Sequence, residues 1–325
     1  MKNLLLFVSA CFALILSASS SAQIQPGLDP TFGNGNGYMI YDTGIVNNIT
    51  VLQDGKFIGT NSAAIMKFLS NGDLDPSFGN GGISLNPNPL SPWDFWYESG
   101  LVMLPDGKIL VVETFDTSFP SQHFSRVIRL NSDGSWDTSF GNNGCTDKVA
   151  GKNHGSAVLV QPDGKILLFI VHTVPDSSTN EPRENIQVVR YLPNGVLDTD
   201  FGSGGYISHQ IYSDPWHLTL LAGASFAPEG KIVLGGQTYS DQLNRDSWYA
   251  ARLLPDGSLD TSFNHSGIAY LPLDYCHALA VQPDGKIILG GHNLFNPPSN
   301  NIPFLLARFN TNGTLDTDFD STGHC

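Results

Sequence analysis

The sequence predicts an all-β protein: a β-propeller of five four-stranded blades, with an open β-repeat array as the alternative. Three observations carry this. The stretch Gly-x-Leu-Asp-x-x-Phe-Gly is written six times, with variations, along 325 residues. A turn closed by Asp-Gly-Lys or Glu-Gly-Lys, followed by an apolar run, is written five times between those copies. Charged residues are only 14% of the chain, while glycine (34) and proline (20) are plentiful. Such a balance suits many short strands joined by tight turns.

The first stretch runs from Gly27 to Gly33, one residue short, and in full from Gly72 to Gly79 and Gly195 to Gly202. Trp136 takes the leucine place in the copy from Gly134 to Gly141. Asn264 replaces the last glycine after Phe263, and the sixth copy runs from Gly313 to Phe319. Successive phenylalanines lie 46, 62, 61, 62 and 56 residues apart, the signature of an array with one supersecondary unit per repeat. The turns are Gln53-Asp54-Gly55-Lys56, Pro105-Asp106-Gly107-Lys108, Pro162-Asp163-Gly164-Lys165, Pro228-Glu229-Gly230-Lys231 and Pro283-Asp284-Gly285-Lys286. Proline pre-sets φ and glycine accepts the left-handed position, so each reads as a β-hairpin.

Each unit then holds four strands. Strand a follows the Phe-Gly loop (37–41; 205–212), strand b enters the hairpin (101–104; 279–282), strand c leaves it (108–112; 286–290), and strand d follows (125–130; 303–309). Strand d carries a basic residue eleven positions before the next phenylalanine: Lys67, Arg129, Arg190, Arg252 and Arg308. Four antiparallel strands in five units make a propeller, because a lone blade leaves apolar faces bare and its neighbours bury them.

Three motifs in fixed order, Gly-x-Leu-Asp-x-x-Phe-Gly-x-x-Gly, Gln-Pro-Asp-Gly-Lys-Ile and Arg-Phe/Leu-Asn-x-x-Gly, resemble the bacterial delta-60 repeat family over residues 25–325. The resemblance implies a secreted or surface-exposed propeller-like array and brings no catalytic residues with it. The chain reads as a stand-alone member or a piece of a longer array.

Residues 1–22 read as a secretory signal: Lys2 is the positive n-region, 4–16 the apolar run, and Ser20-Ser21-Ala22 the cleavage site before Gln23. Cys11 after Val8-Ser9-Ala10 offers a rival lipoprotein site, which would split the apolar run. The expected mature chain, 23–325, is a single domain outside the cell, at its surface or in the periplasm. A net charge of −14 argues against nucleic acid as a partner, and no later stretch is apolar for long enough to span a membrane. Cys145, Cys276 and Cys325 allow at most one internal disulfide, with its pairing open.

Residues present in every unit serve the unit. Leu197 and Phe201 are four apart, as are Trp136 and Phe140. On a single helical or 3-10 turn both would share one side and seal the gap between blades. The aspartate between them (Asp29, Asp75, Asp137, Asp198, Asp260, Asp316) suits a turn cap. Calcium is the alternative, since Asn131-x-Asp133-x-x-x-Asp137 is a fragment of a calcium loop. No unit supplies the six oxygens calcium wants, so no cofactor is expected. The hairpin lysines read as edge charges, solvated or paired, and the strand d arginines as partners of a carboxylate or of backbone oxygens within the blade.

Function is expected where the repeat is broken. An antiparallel meander puts the b–c and d–a turns on one face and the a–b and c–d connections on the other. The second face gathers the irregular segments 86–99, 114–123, 172–185, 209–222, 237–247 and 292–301. It holds Trp93, Trp96, Tyr97, Tyr212 and Trp216, rings able to stack on sugars or simply to pad neighbouring blades. The leading reading is therefore a non-enzymatic scaffold that binds a glycan or an extracellular protein. One alternative is a glycan hydrolase or lyase at the channel, drawing on Asp42, Asp94, Glu98, Glu113, Asp116 or Asp274, with Glu113 the unusual strand c carboxylate. The other is a structural cell-surface or adhesin component. His172 and His292 do not align between units, so a metal cluster would need loops to converge.

Overall fold

The computed structural model describes residues 29, 31–33, 38–40, 46–61, 64–85, 96–118, 121–151, 156–175, 182–211, 219–240, 243, 245–292 and 304–320. All five Asp/Glu-Gly-Lys stretches form the expected hairpins. In one of them Gly107 holds φ at +83° and donates its N–H to the Leu104 carbonyl at 2.9 Å, while the Asp106 carboxylate accepts the Lys108 N–H at 3.1 Å.

The strands form five antiparallel sheets, arranged as a five-bladed β-propeller. The first blade is β1 (Val46–Val51), β2 (Phe57–Asn61), β3 (Ala64–Phe68) and β4 (Ile83–Leu85). The second is β5 (Trp96–Met103), β6 (Ile109–Ser118), β7 (Ser121–Leu130) and β8 (Val149–Gly151). The third is β9 (Ser156–Val160), β10 (Ile166–Pro175), β11 (Pro182–Tyr191) and β12 (Tyr206–His209). The fourth is β13 (Leu220–Phe226), β14 (Ile232–Ser240), β15 (Arg245–Leu253) and β16 (Ile268–Leu271). The fifth, among the described residues, is β17 (Tyr275–Val281), β18 (Ile287–His292) and β19 (Phe304–Phe309). The first strands lie innermost: β1 packs on β5, β5 on β9, β9 on β13 and β13 on β17.

Two expectations need correction. A blade is not a repeat unit in the order a-b-c-d; it is b-c-d plus strand a of the following repeat. The reason is local. After strand d the chain doubles back, Leu130 bridging Trp136 and the Asp137 N–H reaching the Arg129 carbonyl at 3.0 Å, so the next strand returns beside the one just left. The c–d connections are also shorter than expected, because strands c and d run on past their apolar cores. β6 and β7 pair from Ile109↔Leu130 out to Ser118↔Ser121.

Strands inside the array are buried on both faces because a blade stands on either side. In β10 the odd residues Leu167, Phe169 and Val171 pack with Ile232, Leu234 and Leu253 of the fourth blade. The even residues Ile166, Leu168 and Ile170 pack with Leu110, Val112 and Val127 of the second. The far side of the first blade is covered by its own upstream chain: Met39 packs on Met66 and Phe68, and Phe32 lies 6.0 Å from Phe57, ring centre to ring centre.

The repeated motif forms a latch between blades. The Asp137 carboxylate receives Lys108 Nζ at 2.6 Å and Arg129 Nε at 2.8 Å on one oxygen, and the Ser139 N–H and hydroxyl on the other. The Arg129 guanidinium lies 4.4 Å from the Phe140 ring centre, which accounts for the eleven-residue spacing. Arg129 Nη1 also reaches the Pro193 carbonyl of the next blade at 2.7 Å, and the Gly141 N–H the Asn194 carbonyl at 2.7 Å. Gly195, at φ +85°, leaves room for Phe140; a Cβ there would stand 2.8 Å from the ring.

Here too an expectation is corrected. The leucine and phenylalanine of the motif do not share a side, because the turn starts only at the aspartate: the Phe201 N–H closes it on the Asp198 carbonyl at 3.0 Å, one residue beyond Leu197. Leu197 sits in a β-bridge and faces the second blade, whereas Phe201 comes after the turn and faces the fourth.

Two outcomes follow. Asp137→Asn leaves the Arg129 charge without its partner in a mostly buried site and lowers the unfolding free energy by about 3 kcal/mol. Urea unfolding at unchanged slope measures this; a loss below about 0.5 kcal/mol would put the latch among exposed ion pairs of little worth. The second outcome concerns acid. The Ser77 hydroxyl and Lys56 hold Asp75 at about 2, and Ser262 and Arg252 hold Asp260 there against the opposing push of burial. Carboxylates depressed in the fold add stability above the unfolded-chain value of about 4 and lose it as pH falls through their folded value. The melting temperature therefore drops steeply between about pH 4 and pH 2; a flat profile across that window refutes the assignment.

Candidate functional site

The irregular face is reached by the leading ends of the inner strands, and these ends are bent. Strand β1 carries a bulge between Val46 and Asn48, β5 between Glu98 and Gly100, β13 between Leu221 and Gly223, and β17 between Cys276 and Ala278. Each inserts one unpaired residue (Asn47, Ser99, Ala222, His277) and re-aims the strand end. Opposite two of these bulges the backbones approach so closely that only glycine fits. A Cβ on Gly236 would lie 2.0 Å from the Leu220 carbonyl oxygen, and one on Gly291 would lie 1.8 Å from that of Tyr275.

In the fifth blade the bent end builds a cluster. The extra residue, His277, turns Nε2 to within 3.0 Å of Nδ1 of His292 on the adjacent strand. The Tyr275 ring stacks on His292 at 4.8 Å with 14° between planes. His277 is exposed and His292 half-buried. Burial, and then the neighbouring imidazole, lower the affinity of His277 for a second proton.

Of the aromatic residues read from the sequence, Trp96 and Tyr97 stand in strand β5 rather than in the loop expected for 86–99. Tyr97 pairs with Thr114 just ahead of the bulge, the register that Tyr275 holds with His292 in the fifth blade. Trp96 pairs with Phe115. Trp93, Tyr212 and Trp216 lie outside the described residues.

Glu113, opposite Glu98, is 2% exposed and accepts Arg126 Nε at 2.6 Å. It shares a strand face with Ile109 and Val111, which pack against Ile58 and Phe78 of the first blade. Burial pushes its carboxyl up while the Arg126 charge and hydrogen bond oppose this. So enclosed and charge-paired, Glu113 is tied to the neighbouring strand of its own blade. Asp274 is buried 3.6 Å from Arg245; Glu98 and Asp116 occupy strands β5 and β6; Asp42 and Asp94 lie outside the described residues. His172 is bonded to the Ala150 carbonyl at 3.1 Å in the third blade, away from His292 in the fifth. Asp133 and Asp137, the calcium-loop fragment, spend their oxygens on Ser135 and on Ser139, Lys108 and Arg129.

Cys145 and Cys276 are free thiols in different blades, both pushed up by burial, Cys276 to about 12. Cys325 lies outside the described residues. None of the described helices is long and apolar enough to cross a membrane. His277 is the residue that sequence reasoning missed, because a bulge leaves no mark in the strand's apolar pattern.

The Glu113–Arg126 pair is testable. Glu113→Ala strands a buried guanidinium and costs about 3 kcal/mol of stability, and the double change Glu113→Leu/Arg126→Leu recovers most of it. Equal losses in the single and double variants would show that the pair makes no coupled contribution.

The sequence matches the family model described as "Domain of unknown function (DUF5122) beta-propeller" at residues 53–78, 104–140, 161–201, 227–263 and 282–319, just over half of the chain. No curated protein matches it. Solved structures similar to it include an endo-arabinase from Bacteroides thetaiotaomicron, at 11% identity over 79% of this chain and 91% of that one, TM-score 0.42. Two others are a Hadza microbial sialidase, at 12% identity over 78% and 52%, TM-score 0.38, and a GH32 β-fructofuranosidase from Bombyx mori, at 14% identity over 78% and 56%, TM-score 0.36. Each matched span of the family model begins in a b–c hairpin and ends on a latch phenylalanine, so the motif that joins the blades is also the one that marks the family: the chain belongs to the DUF5122 β-propeller family.

Proposed function

We propose that the chain is a secreted array of delta-60-type repeats that acts as a non-enzymatic binding scaffold for a glycan or an extracellular protein. The observation that supports this is the division of labour between residues. The recurring aspartates, basic residues and phenylalanines are occupied in the latches, and the strand c carboxylate Glu113 is locked to Arg126 within the second blade. The bent inner-strand ends are left to vary from blade to blade, and the register that presents Tyr275 in the fifth blade is the one Tyr97 takes in the second. Aromatic rings offered by a rigid rim suit stacking on sugar rings or on an apolar protein surface. The contact patch is Trp93, Trp96, Tyr97, Tyr212 and Trp216.

The test is a glycan array with polysaccharide pull-down, using residues 23–325 beside a Trp93→Ala/Trp96→Ala/Trp216→Ala variant whose melting temperature is matched. Binding by the intact chain that falls at least tenfold in the variant supports the aromatic face. Unchanged binding moves the site elsewhere. Release of free sugar overturns the non-enzymatic reading, and no glycan bound at all leaves an extracellular protein as the ligand to be sought.

A further inference from the structure

We infer that His277 and His292 form a two-histidine site for a divalent transition metal of tetragonal preference, with copper(II) the strongest binder. The site does not depend on the proposed aromatic patch.

The geometry comes first. Metal–imidazole bonds run about 2.0–2.1 Å, so two ligands at a right angle sit about 2.9 Å apart and two tetrahedral ligands about 3.4 Å apart. The facing nitrogens, His277 Nε2 and His292 Nδ1, are 3.0 Å apart, close to the right-angle value. Right-angle nitrogen pairs belong to square-planar or tetragonal centres, the preference of copper(II) and nickel(II), and copper(II) heads the affinity order for nitrogen ligands. Calcium, which wants several oxygens, is a poor match for this pair.

The backbone holds the pair in place. His277 is the surplus residue of the bulge, so its side chain is aimed by the bend rather than by strand alternation. His292 is braced from the other side by the Tyr275 ring, and Gly291 lets the two strands approach. The ring centres lie 5.0 Å apart with 26° between the ring planes, and the two nitrogens are in contact. A bound ion sits about 1.4 Å off the line between them, so both rings turn by roughly 45° to converge their lone pairs on it.

Protons balance without loss. In the empty pair one facing nitrogen carries a hydrogen and the other accepts it. On binding, the donor ring shifts that hydrogen to its far nitrogen, His277 Nδ1 or His292 Nε2, and each neutral imidazole keeps one N–H. Among the described residues no third histidine, cysteine or carboxylate joins the pair. His277 is exposed, so water or a ligand donor atom completes the shell.

The test is titration of residues 23–325 with copper(II), followed by calorimetry and by electron paramagnetic resonance. Expected are one equivalent bound and hyperfine coupling to two imidazole nitrogens. His277→Ala and His292→Ala each weaken binding at least tenfold, while His172→Ala leaves it unchanged. Circular dichroism melting shows whether each variant is folded, and Tyr275→Phe, which keeps both imidazoles, retains the binding. Affinity unchanged in both alanine variants, or a spectrum with fewer than two coupled nitrogens, overturns the site.

Discussion

The structure depends on one buried carboxylate per repeat. It gathers the hairpin lysine, the strand d arginine and the turn that follows, and the arginine in turn carries the phenylalanine across to the next blade. The interaction recurs at Asp198 with Arg190 and Phe201, and at Asp260 with Arg252 and Phe263. Burial alone would make such a carboxylate costly. Two cations and the N–H groups of the turn offset that cost, and the same bonds fix where the chain reverses. Folding a repeat and docking it on its neighbour are therefore one event.

The two ends of the array show what a neighbour contributes. Phe78, Phe140 and Phe263 are fully buried because a blade follows each of them. Phe319 makes the same contact with Arg308, yet it is only half-buried, and Phe304 at the other end of β19 is 68% exposed. No described blade follows the fifth. At the other end Phe32 and Met39 cover the first blade, with Gly33 donating its N–H to the Asn71 carbonyl at 2.8 Å, the bond that Gly141 makes to Asn194 between later blades. The shortened first copy of the motif thus makes on the first blade the contact that later copies make between blades.

Rigidity in the repeated part is what frees the rim to differ. The bulges recur at equivalent places in four blades, but the residues they aim are Asn47, Ser99, Ala222 and His277. One backbone geometry so recurs with four different residues, and in the fifth blade it brings two imidazoles and a phenol ring together. Where a bulge meets a bulky partner strand the solution differs: the second blade places Glu113 there and pairs it with Arg126, whereas the fourth and fifth use Gly236 and Gly291.

The sequence by itself determined the fold class, the five hairpins and the motif that joins the blades, because each is local and written five or six times. Turn chemistry at Asp106-Gly107 and the fixed distance from Arg129 to Phe140 are readable in one dimension, since both partners lie within a dozen residues. Tertiary structure alone decided the rest. Which strand completes a blade depends on the doubling back after Leu130, not on where the repeat begins in the text. Leu197 and Phe201 face opposite blades because their segment is extended and then turned, where a four-residue spacing suggested a helix. The meeting of His277 with His292 rests on a bulge, a local excess of one residue that leaves the apolar pattern intact and appears only when two strands are paired.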